Sequence, residues 1–164
     1  MNSKHLQQAL FASGCFWGTQ YHFAKAAGVA KTAVGFAGGK VAHPSYEAVC
    51  EGDTGHLECV LVEFDPEIIS YENLVRLFFE THDFSQTNGQ GPDIGSQYLS
   101  AIFVANSDQR AVAEQVIEEL RARELVVVTA VRDWSTFYSA EEYHQSYYER
   151  RRGTPYCHIR RKLF

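Results

Sequence analysis

The stretch Ala9-Leu10-Phe11-Ala12-Ser13-Gly14-Cys15-Phe16-Trp17-Gly18 joins an apolar run to a helix-like pattern. We predict a strand over residues 8–13 and a helix over residues 16–27, with Cys15 at the first turn of the helix. Unpaired N–H groups and the helix dipole favour a negative charge there, so we expect a lowered thiol pKa and a larger fraction of reactive thiolate. The flanking glycines allow a tight turn and close approach of a substrate, and the two aromatic residues can line an apolar pocket.

Length and charge restrict the classes of protein that the sequence fits. A chain of 164 residues, 45% of them apolar, is long enough for one folded domain with a single core. The net charge of −5 disfavours general binding to nucleic acid or to an anionic membrane. The sequence contains no run of about 18 apolar residues, so it predicts no membrane helix. The first residues lack the apolar segment of a signal peptide. We therefore expect a cytoplasmic protein that binds neither nucleic acid nor membrane.

The predicted helices and strands alternate and are joined by short connections. The clearest strand is residues 56–64, and a helix begins after Ser70, which can cap it. A long polar loop covers residues 83–96, and Ser139 begins a capping-box pattern. Further strands are predicted at residues 29–36, 98–105 and 125–131, and helices at residues 45–51, 70–81, 107–123 and 139–151. This order predicts an α/β or α+β sandwich. Of the two we expect the α+β class, as a two-layer α/β sandwich with a ferredoxin-like core, a mixed sheet and an irregular C-terminal tail.

The four cysteines differ in their local setting. No two of them form a C-x-x-C pair, which argues against a local zinc knuckle or a thioredoxin-like dithiol. Cys50 falls in a short helical stretch and Cys59 in a strand, and we expect both to be small core residues. Cys15 begins a helix, whereas Cys157 lies in the irregular tail.

Four other residues are candidates for a site, each with a structural alternative. Glu58 stands at one end of a strand that is apolar on both faces. It is either a poorly solvated carboxyl with a raised pKa or a strand-end glutamate in solvent. Tyr46 and Tyr98 are phenols at the beginnings of elements, and buried or rim tyrosines with a satisfied hydroxyl are the usual explanation for such residues. Asp93 lies in the polar loop, where it can serve as a capping group.

The residues alone leave several functions open. A cysteine hydrolase needs a histidine base near Cys15, and His56, His82 and His144 are candidates for that base. A thiol peroxidase or a redox sensor uses a sulfenate instead. A third possibility is a binding protein in which Phe16 and Trp17 receive a segment of a partner. Nucleotide binding is disfavoured, because the glycine-rich residues 89–95 follow a helix and lack the required spacing.

Taken together, the motifs resemble those of the peptide methionine sulfoxide reductase A family. Gly14-Cys15-Phe16-Trp17-Gly18 is similar to the family's active-site motif, and further matches follow in family order over nearly the whole chain. These matches are Ser45-Tyr46-Glu47, Thr54-Gly55-His56 with Glu58, Gln90-Gly91-Pro92-Asp93-Ile94-Gly95-Ser96-Gln97-Tyr98 and Ala140-Glu141-Glu142-Tyr143-His144-Gln145. Two segments depart from the family pattern, because Phe36-Ala37-Gly38-Gly39 replaces Y-S-G-G and His82-Asp83-Phe84-Ser85 replaces H-D-P-T.

The resemblance implies a reaction and assigns roles to particular residues. It implies that Cys15 is the nucleophile, Glu58 the acid and Cys157 the resolving cysteine. It also implies that Tyr46 and Tyr98 are hydroxyl donors, and that the substrate pocket is formed by Phe16, Trp17 and Asp93. The implied substrate is the S epimer of methionine sulfoxide, free or in oxidised proteins and peptides. Its reduction leaves a sulfenic acid, then an intramolecular disulfide that thioredoxin reduces.

The resemblance also implies an organisation for the chain. It implies neither a metal nor an organic cofactor. It implies one catalytic domain over residues 1–164, in which residues 153–164 form a tail that carries Cys157. A thiol peroxidase or redox sensor that uses the same cysteine pair remains the alternative.

Overall fold

The computed structural model describes residues 5–148 and 158–164. The strands are β1 (Gln7–Ser13), β2 (Val29–Ala37), β3 (Leu57–Phe64), β4 (Gly89–Gln90), β5 (Asp93–Ile94), β6 (Ser100–Val104), β7 (Ala130–Asp133) and β8 (Tyr138–Ser139). The helices are α1 (Phe16–Ala24), α2 (Tyr46–Cys50), α3 (Tyr71–Glu80) and α4 (Ser107–Ala122), with 3-10 turns at Ser96–Tyr98 and Glu142–His144. In the part of the chain that the structure describes, no helix is both long enough and apolar enough to cross a membrane.

A six-stranded mixed sheet forms one layer, in the order β7-β6-β1-β3-β2-β8. Among the described strands of this sheet β6 and β7 run parallel, and the other neighbouring pairs are antiparallel. In β1, Phe11 lies opposite Val60 of β3, and in β2, Phe36 lies opposite Glu58. Because β1 and β3 run in opposite directions, the end of β1 lies beside the start of β3. This register brings the residues before Cys15 next to Glu58.

The main core lies between this sheet and the helices. Side chains of α1, α3 and α4 pack with Val60 and Val62 on one face of β3, whereas Leu57 and Cys59 belong to a second cluster on the other face. The prediction that this strand is apolar on both faces is confirmed. The helices and the mixed sheet confirm the α+β class, and residues 158–164 contain no helix or strand.

The junction between β1 and α1 depends on one glycine. Gly14 has φ +93°, a conformation that side chains disfavour, and a Cβ atom there would lie 2.4 Å from Cβ of Gln90. The chain turns at Gly14, and Cys15 becomes the residue that precedes α1. The helix ends at Ala24, three residues earlier than the predicted boundary. Ser70 caps α3 as predicted, because its side chain accepts a hydrogen bond from Asn73 N.

Two predicted elements are wrong. Residues 125–129 are not a strand: Val126 is 66% exposed, and Val128 N donates to the carbonyl of Phe84 instead of to a neighbouring strand. Pairing with β6 begins only at Ala130. The capping-box helix does not begin at Ser139, because Ser139 pairs with β2 and a 3-10 turn covers Glu142–His144; helical residues begin only at Tyr147. The end of that predicted helix, from residue 149, lies outside the described residues.

Candidate active site

Cys15 occupies the N-cap position of α1 and is 7% exposed. Its carbonyl accepts hydrogen bonds from Gly18 N at 3.2 Å and from Thr19 N at 3.4 Å, which orient the first turn of the helix. The N–H groups of that turn surround the sulfur-bearing residue with positive partial charge. The position of Cys15 at the start of α1 therefore agrees with the prediction that this cysteine lies at the first turn of a helix.

The carboxyl group of Glu58 reaches the same end of α1. Glu58 is 1% exposed, and its Oε1 accepts a hydrogen bond of 3.2 Å from the backbone N–H of Phe16. Since Phe16 N is bonded to the carbonyl carbon of Cys15, the Cα atom of Cys15 lies within about 6 Å of Oε1. The solvent-facing interpretation of Glu58 is therefore wrong, and the buried interpretation is confirmed.

Burial also changes the ionisation of this carboxyl. Desolvation raises the pKa of Glu58 to about 8, the N–H of Phe16 lowers it, and the charge of Asp93 raises it. At neutral pH the group is therefore mostly a carboxylic acid. Its Oε2 is buried and has no hydrogen-bond partner within the described part of the chain. A proton on Oε2 is thus available to an acceptor that enters the site.

Two phenols stand beside the acid. Tyr46 is the first residue of α2, Tyr98 ends the 3-10 turn that follows the polar loop, and both are half-buried. Burial, followed by the neighbouring Glu58 carboxyl, raises the pKa of both hydroxyls above its ordinary value. The charge of Cys15 contributes to the same effect at Tyr98. Both hydroxyls therefore remain protonated and able to donate hydrogen bonds.

Aromatic rings line the site next to Cys15. The Phe16 ring is fully buried with its centroid 6.1 Å from that of Tyr46, and the half-buried Trp17 ring lies 6.4 Å from Tyr46. The indole N–H of Trp17 donates to Nδ1 of His144 at 3.3 Å. Tyr147 stacks on the indole with centroids 3.9 Å apart. His144 and Tyr147 thus hold Trp17 in place, a role that is not apparent from the spacing of the motif that contains His144.

The three histidines considered as a base for Cys15 are hydrogen-bonded to other groups. His56 accepts from Gly39 N and donates to the carbonyl of Val41. His82 lies between the carbonyl of Phe78 and the hydroxyl of Ser100, and His144 accepts from Trp17. The predicted possibility of a cysteine hydrolase therefore receives no support from these side chains.

Gly18 provides space for a residue of the tail. A Cβ atom at this position would lie 2.4 Å from Nδ1 of His158. The His158 ring is 1% exposed, and its Nε2 is hydrogen-bonded to the carbonyl of Ser13. The second glycine of the motif therefore receives the tail, which corrects the expectation that it admits a substrate. His158 directly follows Cys157, which itself lies outside the described residues.

The remaining cysteines have different surroundings. Cys59 is 1% exposed and belongs to the core, as predicted. Cys50 is exposed, and the prediction that it is a core residue is wrong. In the short helix α2 only Val49 is buried, so the thiol of Cys50 lies at the surface near the hydroxyl of Tyr46. Among residues 5–148 and 158–164, no three His, Cys, Asp or Glu side chains are grouped as metal ligands.

Comparison with known proteins identifies the family. Residues 7–164 match the family described as peptide methionine sulfoxide reductase. The chain belongs to this family. A relative from Acinetobacter baumannii, named Peptide methionine sulfoxide reductase MsrA, is 46% identical over 154 residues, which are 94% of this chain and 89% of the relative. A relative of the same name from Methanosarcina acetivorans is 47% identical over 149 residues, covering 89% of this chain and 79% of the relative.

Solved structures of the family share the fold. Mxr1 from Saccharomyces cerevisiae in its reduced form is 32% identical, with a TM-score of 0.90 over 96% of this chain and 93% of the yeast chain. The family resemblance read from the sequence motifs is therefore confirmed, as is the α+β fold class that it accompanies.

Proposed function

We propose that this member of the family is a peptide-methionine (S)-S-oxide reductase that works through Cys15. The observation that carries the proposal is the contact between Glu58 and the start of α1. It brings a buried carboxylic acid, protonated at neutral pH, to the residue that follows Cys15. Reduction of a sulfoxide needs this combination, because a nucleophile must attack sulfur while the oxygen receives a proton.

In the first step the Cys15 thiolate attacks the sulfoxide sulfur and forms a sulfur–sulfur bond, and Glu58 delivers its proton to the oxygen. The protonated oxygen then passes to the sulfur of Cys15: its bond to the substrate sulfur and the sulfur–sulfur bond both break, which leaves a sulfenic acid on Cys15 and releases methionine. The substrate sulfur is reduced by two electrons and the cysteine is oxidised by two. Oε2 of Glu58 is the donor atom, since it has no other partner among the residues described.

The surrounding side chains recognise the two ends of the sulfoxide group. Tyr46 and Tyr98 donate hydrogen bonds to the oxygen as it gains negative charge, which lowers the barrier electrostatically. Phe16 and Trp17 contact the methyl group of the substrate. Asp93 shapes the site from β5, and its negative charge helps to keep Glu58 protonated.

Cys157 resolves the sulfenic acid. Its thiol attacks the sulfur of Cys15 while the thiol proton passes to the leaving oxygen; the S–O bond breaks, water leaves, and a disulfide forms between the two residues. A thioredoxin dithiol then reduces this disulfide and is itself oxidised. Two observations support this step: His158, the next residue, is packed against Ser13 and Gly18, and yeast Mxr1 has been solved in complex with Trx2.

The proposal extends to the organisation and location of the protein. We place the whole reaction in one catalytic domain over residues 1–164, with residues 153–164 as the tail that carries Cys157. The substrates are methionine S-sulfoxide in oxidised proteins or peptides and the free amino acid. The cytoplasm is the proposed compartment, because it maintains the reducing conditions that keep thioredoxin active.

The deciding experiment couples the enzyme to thioredoxin, thioredoxin reductase and NADPH, with each sulfoxide epimer supplied separately. We expect one NADPH oxidised per molecule of the S epimer and none with the R epimer. Cys15→Ser abolishes the reaction, whereas Cys50→Ser, which changes an exposed thiol, retains it. Lack of NADPH oxidation with the S epimer, or faster turnover of hydrogen peroxide than of the sulfoxide, would overturn the proposal.

The role of Cys157 is tested separately by counting products. Cys157→Ser releases about one methionine per enzyme and then stops when thioredoxin is the reductant. Continued thioredoxin-dependent turnover by this variant would remove Cys157 from the cycle without affecting the role of Cys15.

A further inference from the structure

Glu80, the last residue of α3, collects hydrogen bonds from the C-terminal residues. Its Oε1 accepts from Nε and an NH2 group of Arg160 at 3.2 and 2.9 Å. Its Oε2 accepts from the backbone N–H groups of Leu163 and Phe164 at 2.9 and 3.3 Å. The Glu80 carbonyl accepts from Arg161 N at 2.8 Å. Glu80 is only 4% exposed, so one buried carboxylate binds three residues of the tail segment 158–164.

Other contacts hold the same segment from both sides. The guanidinium of Arg76 lies 4.4 Å from the centre of the Phe164 ring, and Arg123 donates to the carbonyl of Leu163 at 2.8 Å. At the other end His158 is buried against Gly18. Only two peptide units, about 7 Å of extended chain, separate His158 from Arg160. A change at Glu80 is therefore transmitted directly to the residue that packs beside the Cys15 helix.

We propose that Glu80 is a positioning residue for the resolving step: by binding Arg160, Leu163 and Phe164 it keeps His158, the residue after Cys157, docked beside the helix that follows Cys15, and this docking speeds the reaction of Cys157 with the Cys15 sulfenic acid. The inference rests on the proposed role of Cys157. A thiol held near its target reacts as part of the same molecule with a high effective concentration, and loss of the restraint lowers that concentration. The groups proposed to act in methionine release, Cys15, Glu58, Tyr46 and Tyr98, lie outside the tail, so we expect that step to keep its rate.

The charge state of Glu80 is consistent with this role. Burial raises the pKa of its carboxyl, but the hydrogen bonds from Leu163, Arg160 and Phe164 together outweigh burial and lower it below its ordinary value. The group is therefore a carboxylate at neutral pH, and its hydrogen bonds to the tail are charge-assisted, the stronger kind.

The experiment compares Glu80→Ala and Glu80→Gln with a matched control. Glu114→Gln is the control, because it removes a carboxylate that pairs with Arg110 within α4 rather than with a residue that holds the tail. Reduced enzyme is mixed with excess methionine S-sulfoxide. Methionine release, loss of thiols and labelling of sulfenic acid by dimedone are then followed in one turnover.

We expect methionine release to keep its rate in both Glu80 variants. Disulfide formation slows about tenfold or more in Glu80→Ala and less in Glu80→Gln, and dimedone-reactive sulfenic acid accumulates. Steady turnover falls with thioredoxin but much less with dithiothreitol, which reduces the sulfenic acid directly. A variant that only loosened the fold would slow both steps together. Arg160→Gln, at a side chain that is 60% exposed, reproduces the effect in a weaker form if Glu80→Ala does not fold.

The outcomes separate this inference from the proposed function. Disulfide formation at the wild-type rate in Glu80→Ala, while Cys157→Ser accumulates sulfenic acid, overturns the role of Glu80 alone. Disulfide formation at the wild-type rate in Cys157→Ser overturns the resolving role itself.

Discussion

The backbone N–H of Phe16 donates a hydrogen bond of 3.2 Å to Oε1 of Glu58 and so joins the start of α1 to the central strand β3. A carboxylate beside a helix N-terminus is normally stabilised. Here burial has the larger effect, and the pKa of Glu58 rises to about 8. The same helix end therefore favours negative charge at Cys15 while its neighbour Glu58 stays protonated, which is the division of roles that sulfoxide reduction requires.

The first prediction concerns the pH dependence of methionine release. Because the protonated form of Glu58 is the acid, the single-turnover rate falls as pH rises through about 8. Glu58→Gln still donates a hydrogen bond to the oxygen but has no acidic proton to deliver, so it retains part of the rate and lacks this alkaline decline. Glu58→Ala provides neither and loses more of the rate. Equal activity near that of wild type in both variants would exclude Glu58 from the mechanism.

The second prediction concerns stability. The pKa of Glu58 is about 8 in the folded protein against an ordinary 4.5, so the folded state binds more protons between these values and its stability falls as pH rises through that window. At pH 7 the cost is on the order of 3 kcal/mol. Glu58→Gln avoids this cost. Urea unfolding should show its advantage over wild type growing from pH 4.5 to pH 8. Glu63→Gln on the same strand is the control for removal of a negative charge. If the stability advantage of Glu58→Gln did not depend on pH, the raised pKa of Glu58 would be contradicted.

The third prediction concerns the two hydroxyl donors. Tyr46→Phe and Tyr98→Phe each remove one hydrogen bond to the sulfoxide oxygen and should each slow methionine release about tenfold, with a larger loss in the double variant. Tyr71→Phe is the matched control, since the Tyr71 hydroxyl is buried away from the site and has no hydrogen-bond partner among the described residues. If the double variant released methionine at the wild-type rate, the two hydroxyls would have no role in catalysis.

The fourth prediction concerns the orientation of Trp17. Burial lowers the pKa of His144, so Nδ1 remains an acceptor for the indole N–H at neutral pH. His144→Phe removes the acceptor and should raise KM for the sulfoxide several-fold with a smaller change in kcat, whereas His144→Asn partly restores KM. The control is Tyr143→Phe, at an exposed neighbour in the same turn. An unchanged KM in His144→Phe would show that Trp17 needs no such support.

Local patterns predicted much of this structure. The glycine and cysteine between β1 and α1, the two apolar faces of β3 and the cap at Ser70 all depend on residues close together in the chain. Predictions failed where pairing with a distant strand decided the outcome. Apolar residues 125–129 lie outside the sheet because pairing with β6 begins at Ala130. Ser139 is a strand residue rather than a helix cap because it pairs with Gly35.

The amino-acid sequence by itself determined the family, the α+β class and the residue types gathered near Cys15, because the motifs are short and keep their order. Only the tertiary structure decided how those residues act on one another. Burial in β3 keeps Glu58 protonated, the indole N–H of Trp17 donates to a residue 127 positions away, and Gly18 leaves space for the ring of His158. Such effects depend on desolvation and on contacts between distant parts of the chain, and neither can be obtained from local spacing.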